Sequence, residues 1–256
     1  MSLLAAVGIE KSFGSVSVLH GVDLTLDAGE VVGLVGDNGA GKSTLMKIVT
    51  GMYQADSGLI TLEGENLLDL TPGARRARGI EMIYQDLALA KQQDVASNIF
   101  LGREPTRRIF GVSLVDRHRM KREAQAMIDR LGAELPVITR SVGSFSGGQQ
   151  QSVAIARALT FEPKIVIMDE PTAALAVREV QSVLDLIRQL KSQGIGVILI
   201  SHRLNDVLSV TDRIVVLRQG RATANLVTKE TTMADIVSAI VGGGDVAVAA
   251  AHEARG

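Results

Sequence analysis

The chain has 256 residues, 46% hydrophobic and 21% charged, with 27 basic and 28 acidic side chains and a formal net charge of −1. A chain of this length buries roughly 70% of its extended surface on folding, so a true core is available and disorder is excluded. The even charge balance carries no footprint of a dedicated nucleic-acid binder, and with no cysteine there is no disulfide scaffold, thiolate catalysis or thiolate-bound zinc.

The opening residues, Met1 to Gly14, have no basic lead-in to a long apolar stretch, so no secretory signal is expected. Apolar runs such as Ile195–Ile200 stop well short of the roughly 20 residues that span a bilayer. A cytoplasmic chain is expected.

In chain order, the segments around Val7 and over Leu19–Leu26 read as antiparallel strands. Glu30–Val35 reads as a short apolar strand that leads through a glycine-rich turn into a helix over Lys42–Thr50. Leu59–Glu63 reads as a strand ending in a turn at Gly64. From about Asp86 to Ala158 strand alternation gives way to helical stretches at Val95–Gly102, Asp116–Leu131 and Gln149–Leu159, which predicts an inserted helical subdomain. Ile165–Met168 and Val197–Ile200 are continuous apolar runs, followed by helical patterns over Val177–Gln193 and Leu204–Val210. Arg218–Arg221 reads as a hairpin turn. Buried runs separated by helices predict a mainly parallel sheet covered on both faces. Three glycines set off a tail, 245–256, expected to be poorly ordered.

Gly36-Asp37-Asn38-Gly39-Ala40-Gly41-Lys42-Ser43 fits G-x-x-x-x-G-K-[ST] directly after a strand and directly before a helix. Glycines let successive backbone N–H groups turn inward around phosphates, and the helix N-terminus adds partial positive charge. In that setting Lys42 reaches the β- and γ-phosphates, Ser43 coordinates Mg²⁺ and Thr44 bonds the α-phosphate. Asp169 and Glu170 end the apolar Ile165–Met168 strand, which predicts both carboxylates at the sheet edge beside the loop. Asp169 then joins the Mg²⁺ shell and Glu170 polarises an attacking water. Ser146-Gly147-Gly148-Gln149 opens a helix, with Ser146 as N-cap and two glycines that let an anion approach the N–H groups.

Together, Gly36–Thr44, Gln85, Ser146–Gln149, Asp169–Glu170 and His202, in this order, resemble the ATP-binding subunits of ABC transporters, over about Leu3 to Val241. The resemblance implies an α/β chain: a P-loop NTPase (RecA-like) core with a mainly parallel sheet, an antiparallel β subdomain and an inserted helical subdomain. It implies one nucleotide-binding domain over 1–244, with 1–85 and 159–244 as core and 86–158 as the helical insert. Position by position it makes Phe13 the ring that stacks on adenine, Gln85 the sensor of Mg²⁺ and water, and His202 the γ-phosphate contact. Gln85 also opens the loop that faces the membrane subunit. Ser146–Gln149 would cap the ATP held by an opposite subunit, so two chains sandwich two nucleotides, as a homodimer or with a paired ATPase subunit.

Further partners implied are transmembrane permease subunits and, through them, a periplasmic sugar-binding protein, on the cytoplasmic face of the cell membrane; no nucleic acid is expected. Ala173-Ala174-Leu175-Ala176-Val177-Arg178-Glu179 resembles the branch that energises monosaccharide uptake, as does Gln149–Arg157. Many of those relatives fuse two such domains, whereas this chain carries one set of motifs. One position departs from the family: where the loop after the glutamate commonly ends in Leu-Asp, Ala176 offers no carboxylate to couple the two sites. The basic clusters Arg75-Arg76-Ala77-Arg78 and Arg117–Arg122 read as solvated helix faces. The competing reading is a soluble ABC ATPase of DNA repair or translation, but the chain has neither a long coiled-coil insertion nor a second ATPase domain with a charged linker.

Overall fold

The computed structural model describes residues 2–132, 135, 137–173 and 175–242, so the tail expected at 245–256 lies outside the described residues. The chain opens with β1 (Leu4–Phe13) and β2 (Val16–Leu26), followed by β3 (Val31–Val35) and α1 (Lys42–Val49). Next come β4 (Ser57–Leu62), β5 (Glu65–Asn66), α2 (Pro72–Ala77) and β6 (Ile80–Ile83). β1 pairs antiparallel with both β2 and β4, and β4 with β5, giving a four-stranded sheet in the order β2-β1-β4-β5. One face of β2 is apolar and buried at Leu19, Val22, Leu24 and Leu26, the alternation of a half-buried strand with one irregularity near Gly21. α2 starts where Thr71 accepts a hydrogen bond from Ala74 N–H and Pro72 fills the first turn.

The middle of the chain supplies α3 (Val95–Ile99), a hairpin of β7 (Thr106–Ile109) and β8 (Val112–Val115), α4 (Arg117–Arg130) and α5 (Gly147–Leu159). Asp94 and Asp116 cap α3 and α4 through the N–H groups of Ser97 and Arg119. The apolar faces of these helices meet in one core that includes Val95, Ile99, Phe100, Met120, Ile128, Phe145 and Val153. The hairpin corrects the purely helical reading of this stretch. Thr106, Arg107, Arg108 and the whole of β8 are exposed, so the sequence shows no in–out hydrophobic alternation there.

The remainder is β9 (Ile165–Asp169), α6 (Val177–Ser192), β10 (Gly196–Ile200), α7 (Leu204–Val210), β11 (Arg213–Arg218), β12 (Arg221–Val227) and α8 (Met233–Val241). The second sheet runs β12-β11-β3-β10-β9-β6. β3 lies parallel to β10 and β11, β10 lies parallel to β9, and β12 closes the edge antiparallel to β11. β3 and β10 are buried throughout, as expected for strands covered on both faces. Register sets the ends: Leu34 is opposite Ile200, and Ile200 is opposite Asp169.

The residues form two compact units, one of 1–82, 164–170 and 187–256, the other of 83–163 and 171–186. Both sheets belong almost wholly to the first. The α3–α5 core and the hairpin belong to the second.

The Arg75 cluster is not a solvated face. Arg75 is 2% exposed and donates to the carbonyls of Leu68, Leu70, Ile48 and Val49. Arg76 pairs with Glu81 and Arg78 with Glu65.

Candidate functional site

In the first unit, the chain leaves β3 at Val35 and turns through Gly36–Gly41 into α1. Gly36 has φ +145°, and a Cβ there would collide with the carbonyl oxygen of Leu217, so only glycine fits. The turn between β11 and β12, Gln219–Gly220, braces the loop: Gly220 N–H donates to Ala40 C=O, and Gly220 C=O accepts from His20 N–H. Nothing in the sequence pointed to this brace, since it joins segments about 180 residues apart. Asp37, Asn38 and Gly39 are exposed, while Ala40 and Gly41 are buried. α1 has no side-chain cap, so its first N–H groups face the loop without an internal acceptor. Lys42 Nζ donates to the carbonyls of Gly36 (2.5 Å) and Asp37 (2.8 Å). Burial lowers the Lys42 pKa, opposed by the charges of Glu170, Asp37 and Asp169. Ser43 is exposed and Thr44 half-buried on the first turn.

Asp169 ends β9, two strands from β3 at the same sheet edge. Burial and then the charge of Glu170 raise its pKa, while Lys42 and Lys47 pull it down. Glu170 follows in the left-handed region, φ +50°, a conformation that a non-glycine residue adopts at a cost. Its backbone N–H is held by Ile200 C=O, and its Oε1 accepts from His202 N–H at 3.1 Å. His202 Nδ1 lies 2.8 Å from Glu170 Oε2, a close approach without hydrogen-bond alignment, so Oε2 is buried with no hydrogen bond. The His202 ring itself is 71% exposed. Lys42, Asp169, Glu170 and His202 therefore gather at one sheet edge, as the strand ends predict.

Phe13, at the end of β1, is 42% exposed and so not a core residue. Its ring meets Tyr53 edge-on, centroids 5.3 Å apart at 71°, with the Lys11 ammonium 5.5 Å from the Phe13 ring. Tyr53 escaped the sequence reading, because a lone tyrosine after a helix carries no motif.

The second unit holds Gln85 and Ser146–Gln149. Gln85 is exposed in the turn after β6. The segment that follows it is tied down by two residues the sequence reading missed. Arg157 on α5 donates to the carbonyls of Leu87 and Ala88, and the buried Asn98 bonds Ala90 N–H and the carbonyls of Ala90 and Asp94. Ser146 caps α5 as expected: its hydroxyl accepts from Gln149 N–H while the Gln149 side chain accepts from Ser146 N–H. Gly147 opens the helix, and Gly148 leaves room for a neighbour, since a Cβ there would collide with the Glu179 carboxylate.

A phosphate loop between a buried strand and a helix, with two carboxylates ending a strand of the same parallel sheet, defines a P-loop nucleotide-binding protein. The sequence matches the ABC transporter family over residues 19–173. It is 44% identical to the xylose/arabinose import ATP-binding protein of Sulfolobus acidocaldarius, over 91% of this chain and 92% of that protein. It is also 44% identical to the ribose import ATP-binding protein of Chromobacterium violaceum over 92% of this chain, but spans only 46% of that longer relative. Among solved structures, an ATP-binding cassette of an ABC transporter in its ADP conformation superposes with a TM-score of 0.80 at 28% identity, covering 94% of this chain and 99% of that one. The chain belongs to the ABC transporter family, as one of its ATP-binding proteins.

Proposed function

We propose that this chain is the ATP-hydrolysing subunit of a membrane importer for a monosaccharide, working on the cytoplasmic face of the membrane. The observation that carries the catalytic part is Glu170: a carboxylate fixed at the sheet edge by His202 N–H, with one buried oxygen that has no hydrogen bond. That oxygen lies 2.8 Å from His202 Nδ1, and a carboxylate so placed is suited to taking a proton from water. The backbone N–H groups of Gly36–Gly41, Lys42, Ser43 and Thr44 hold the phosphates, Phe13 stacks on the adenine, and His202 contacts the γ-phosphate.

The donor set fits Mg²⁺. Asp169 is a carboxylate whose charge the surroundings disfavour, and Ser43 offers an exposed hydroxyl. Among the described residues no group of three or more His, Cys, Asp or Glu could hold a metal without help. Such a pair suits an ion that keeps its remaining ligands from water and phosphate. Bound there, Mg²⁺ supplies charge neutralisation at the transferring phosphoryl group.

The relatives named as xylose/arabinose and ribose import ATP-binding proteins support a sugar as the cargo, and do not favour a soluble role in repair or translation. The partners are a second ATPase chain, which presents Ser146–Gln149 to the nucleotide across the dimer, the permease subunits, and a periplasmic sugar-binding protein reached through them.

The test is Glu170→Gln. Turnover should fall at least about a hundredfold, the scale of a lost general base, with nucleotide affinity kept and the mass in size-exclusion chromatography doubled by ATP. Unchanged hydrolysis would overturn the assignment. Tagged Glu170→Gln protein should also retain a permease and a sugar-binding protein from membranes. Recovery of ribosomal or repair proteins alone would remove transport from the reading.

A further inference from the structure

Phe13 ends β1 beside the turn Gly14-Ser15 and opposite Val16, which is itself exposed. A ring at such a hairpin end has no core against it to fix its angle. What meets it is Tyr53, whose ring stands 5.3 Å away at 71°, within the range that edge-to-face aromatic pairs prefer. An aromatic that served only the core would be buried. Tyr53 is 36% exposed, so both rings reach solvent.

Two sets of contacts hold this pair in place. Asp56 staples the segment that follows Tyr53 to the end of β1. Its Oδ1 accepts from Lys11 Nζ at 2.7 Å, its Oδ2 accepts from Ser12 N–H at 2.6 Å, and its own N–H donates to Glu10 C=O at 2.9 Å. On the other side, Tyr53 N–H donates to Lys47 C=O at 3.1 Å, and the Lys47 ammonium lies 5.4 Å from the centre of the Tyr53 ring. Lys47 belongs to α1, the helix that opens with Lys42 and Ser43, and its charge is felt at Asp169. All of these residues lie in the first unit. One run of contacts therefore leads from the helix of the phosphate loop, through Tyr53, to Phe13.

Phe13 and the phosphate loop stand on different sheets, on β1 and after β3. The base and phosphates of a nucleotide are joined through one ribose, so the ring that receives the base must be set relative to the loop that receives the phosphates. We infer that Tyr53 is a positioning residue for base recognition: it fixes the Phe13 ring at the angle and height that stack on adenine, and leaves the phosphates to the loop. The inference rests on the adenine-stacking role proposed for Phe13.

The test is calorimetric titration of the full chain with Mg-ADP, alone and with inorganic pyrophosphate as competitor. Phe13→Ala should weaken ADP binding about tenfold, the scale of one lost aromatic–base stack. Tyr53→Leu keeps apolar bulk but loses the ring, and should weaken it about three- to tenfold. Tyr53→Phe should bind like the parent. Pyrophosphate, which has no base, should compete for all of these proteins with the same affinity. Because Tyr53 acts through Phe13, the double variant Phe13→Ala with Tyr53→Leu should be no weaker than Phe13→Ala alone. Parental ADP affinity in Tyr53→Leu, with the Phe13→Ala loss intact, would overturn the inference and leave adenine stacking standing. A loss shared equally by pyrophosphate would also overturn it, since Tyr53 would then serve α1. So would additive losses in the double variant, which would make Tyr53 a base contact of its own. If Phe13→Ala itself kept parental ADP affinity, the adenine role of Phe13 would fail first, and the positioning role with it.

Discussion

The guanidinium of Arg75 is buried against four backbone carbonyls, and two of them, Ile48 and Val49, belong to the last turn of α1. The last carbonyls of a helix have no internal donors and carry its partial negative charge, so a cation there both satisfies and neutralises them. Burial lowers the Arg75 pKa, yet a guanidinium stays protonated in proteins, so the charge remains. Arg75→Met should cost about 2–4 kcal/mol in urea unfolding, since it leaves buried acceptors without donors. Arg75→Lys should recover little of this, because an ammonium cannot reach four carbonyls as a planar fork does. Full stability in the lysine variant would show that charge alone matters. Because α1 also carries Lys42 and Ser43, loss of Arg75 should weaken nucleotide binding as well. The same residue shows what a sequence makes legible. Lys42, Ser43, Asp169 and Glu170 could be read because their chemistry is written in spacing along one strand–turn–helix or one strand end. Arg75, Tyr53 and Gly220 could not, because their roles are defined by partners far away in the chain.

At the scale of elements, the helices and buried strands lie close to the predicted bounds, because 3.6-residue periodicity and continuous apolar runs are local signals. The β7–β8 hairpin was missed because Thr106, Arg107, Arg108 and all of β8 are exposed and alternation vanishes. The start of α6 holds a half-built device. Ala176 precedes the helix, and its N–H donates to Glu179 Oε2 at 3.0 Å, the reach-back half of a capping box. The other half needs a hydroxyl at position 176, which alanine lacks. Ala176→Ser should therefore complete the box and stabilise the protein by about 0.5–1 kcal/mol, read as a higher urea midpoint at unchanged slope. Removing Glu179 as well should abolish the part of that gain that depends on reciprocity. A serine variant no more stable than the parent would show that the segment before α6 is held by other contacts. The family position at Ala176 commonly bears a carboxylate, so Ala176→Asp is the companion variant: it too can cap the helix, and any change it makes in the cooperativity of ATP hydrolysis beyond that of serine belongs to the charge.

Across the whole molecule, the chain is divided between two hydrophobic cores. One lies around the two sheets and contains the buried strands β3, β10 and β11 beneath Lys42 and Glu170. The other joins α3, α4 and α5 through residues such as Phe100, Ile128, Phe145 and Val153, and ends in the Ser146 cap. Proteins open locally in contiguous cooperative segments, each with its own free energy. Ile128 is 1% exposed in the second core, and Ile128→Ala removes three carbons from it at a cost of about 2–5 kcal/mol. The expected result is selective. Amide exchange should accelerate over 95–159, while the strands of the first unit keep their protection. ADP affinity should stay within about twofold of the parent, because Lys42 and the phosphate loop belong to the other core. On the roles proposed for Ser146–Gln149 and Gln85, ATP hydrolysis should fall nonetheless, since both segments, the second clamped by Arg157, stand on the loosened core. A single transition that strips protection from both units together would mean that the cores fold as one, and the loss of hydrolysis would then say nothing about the second unit in particular.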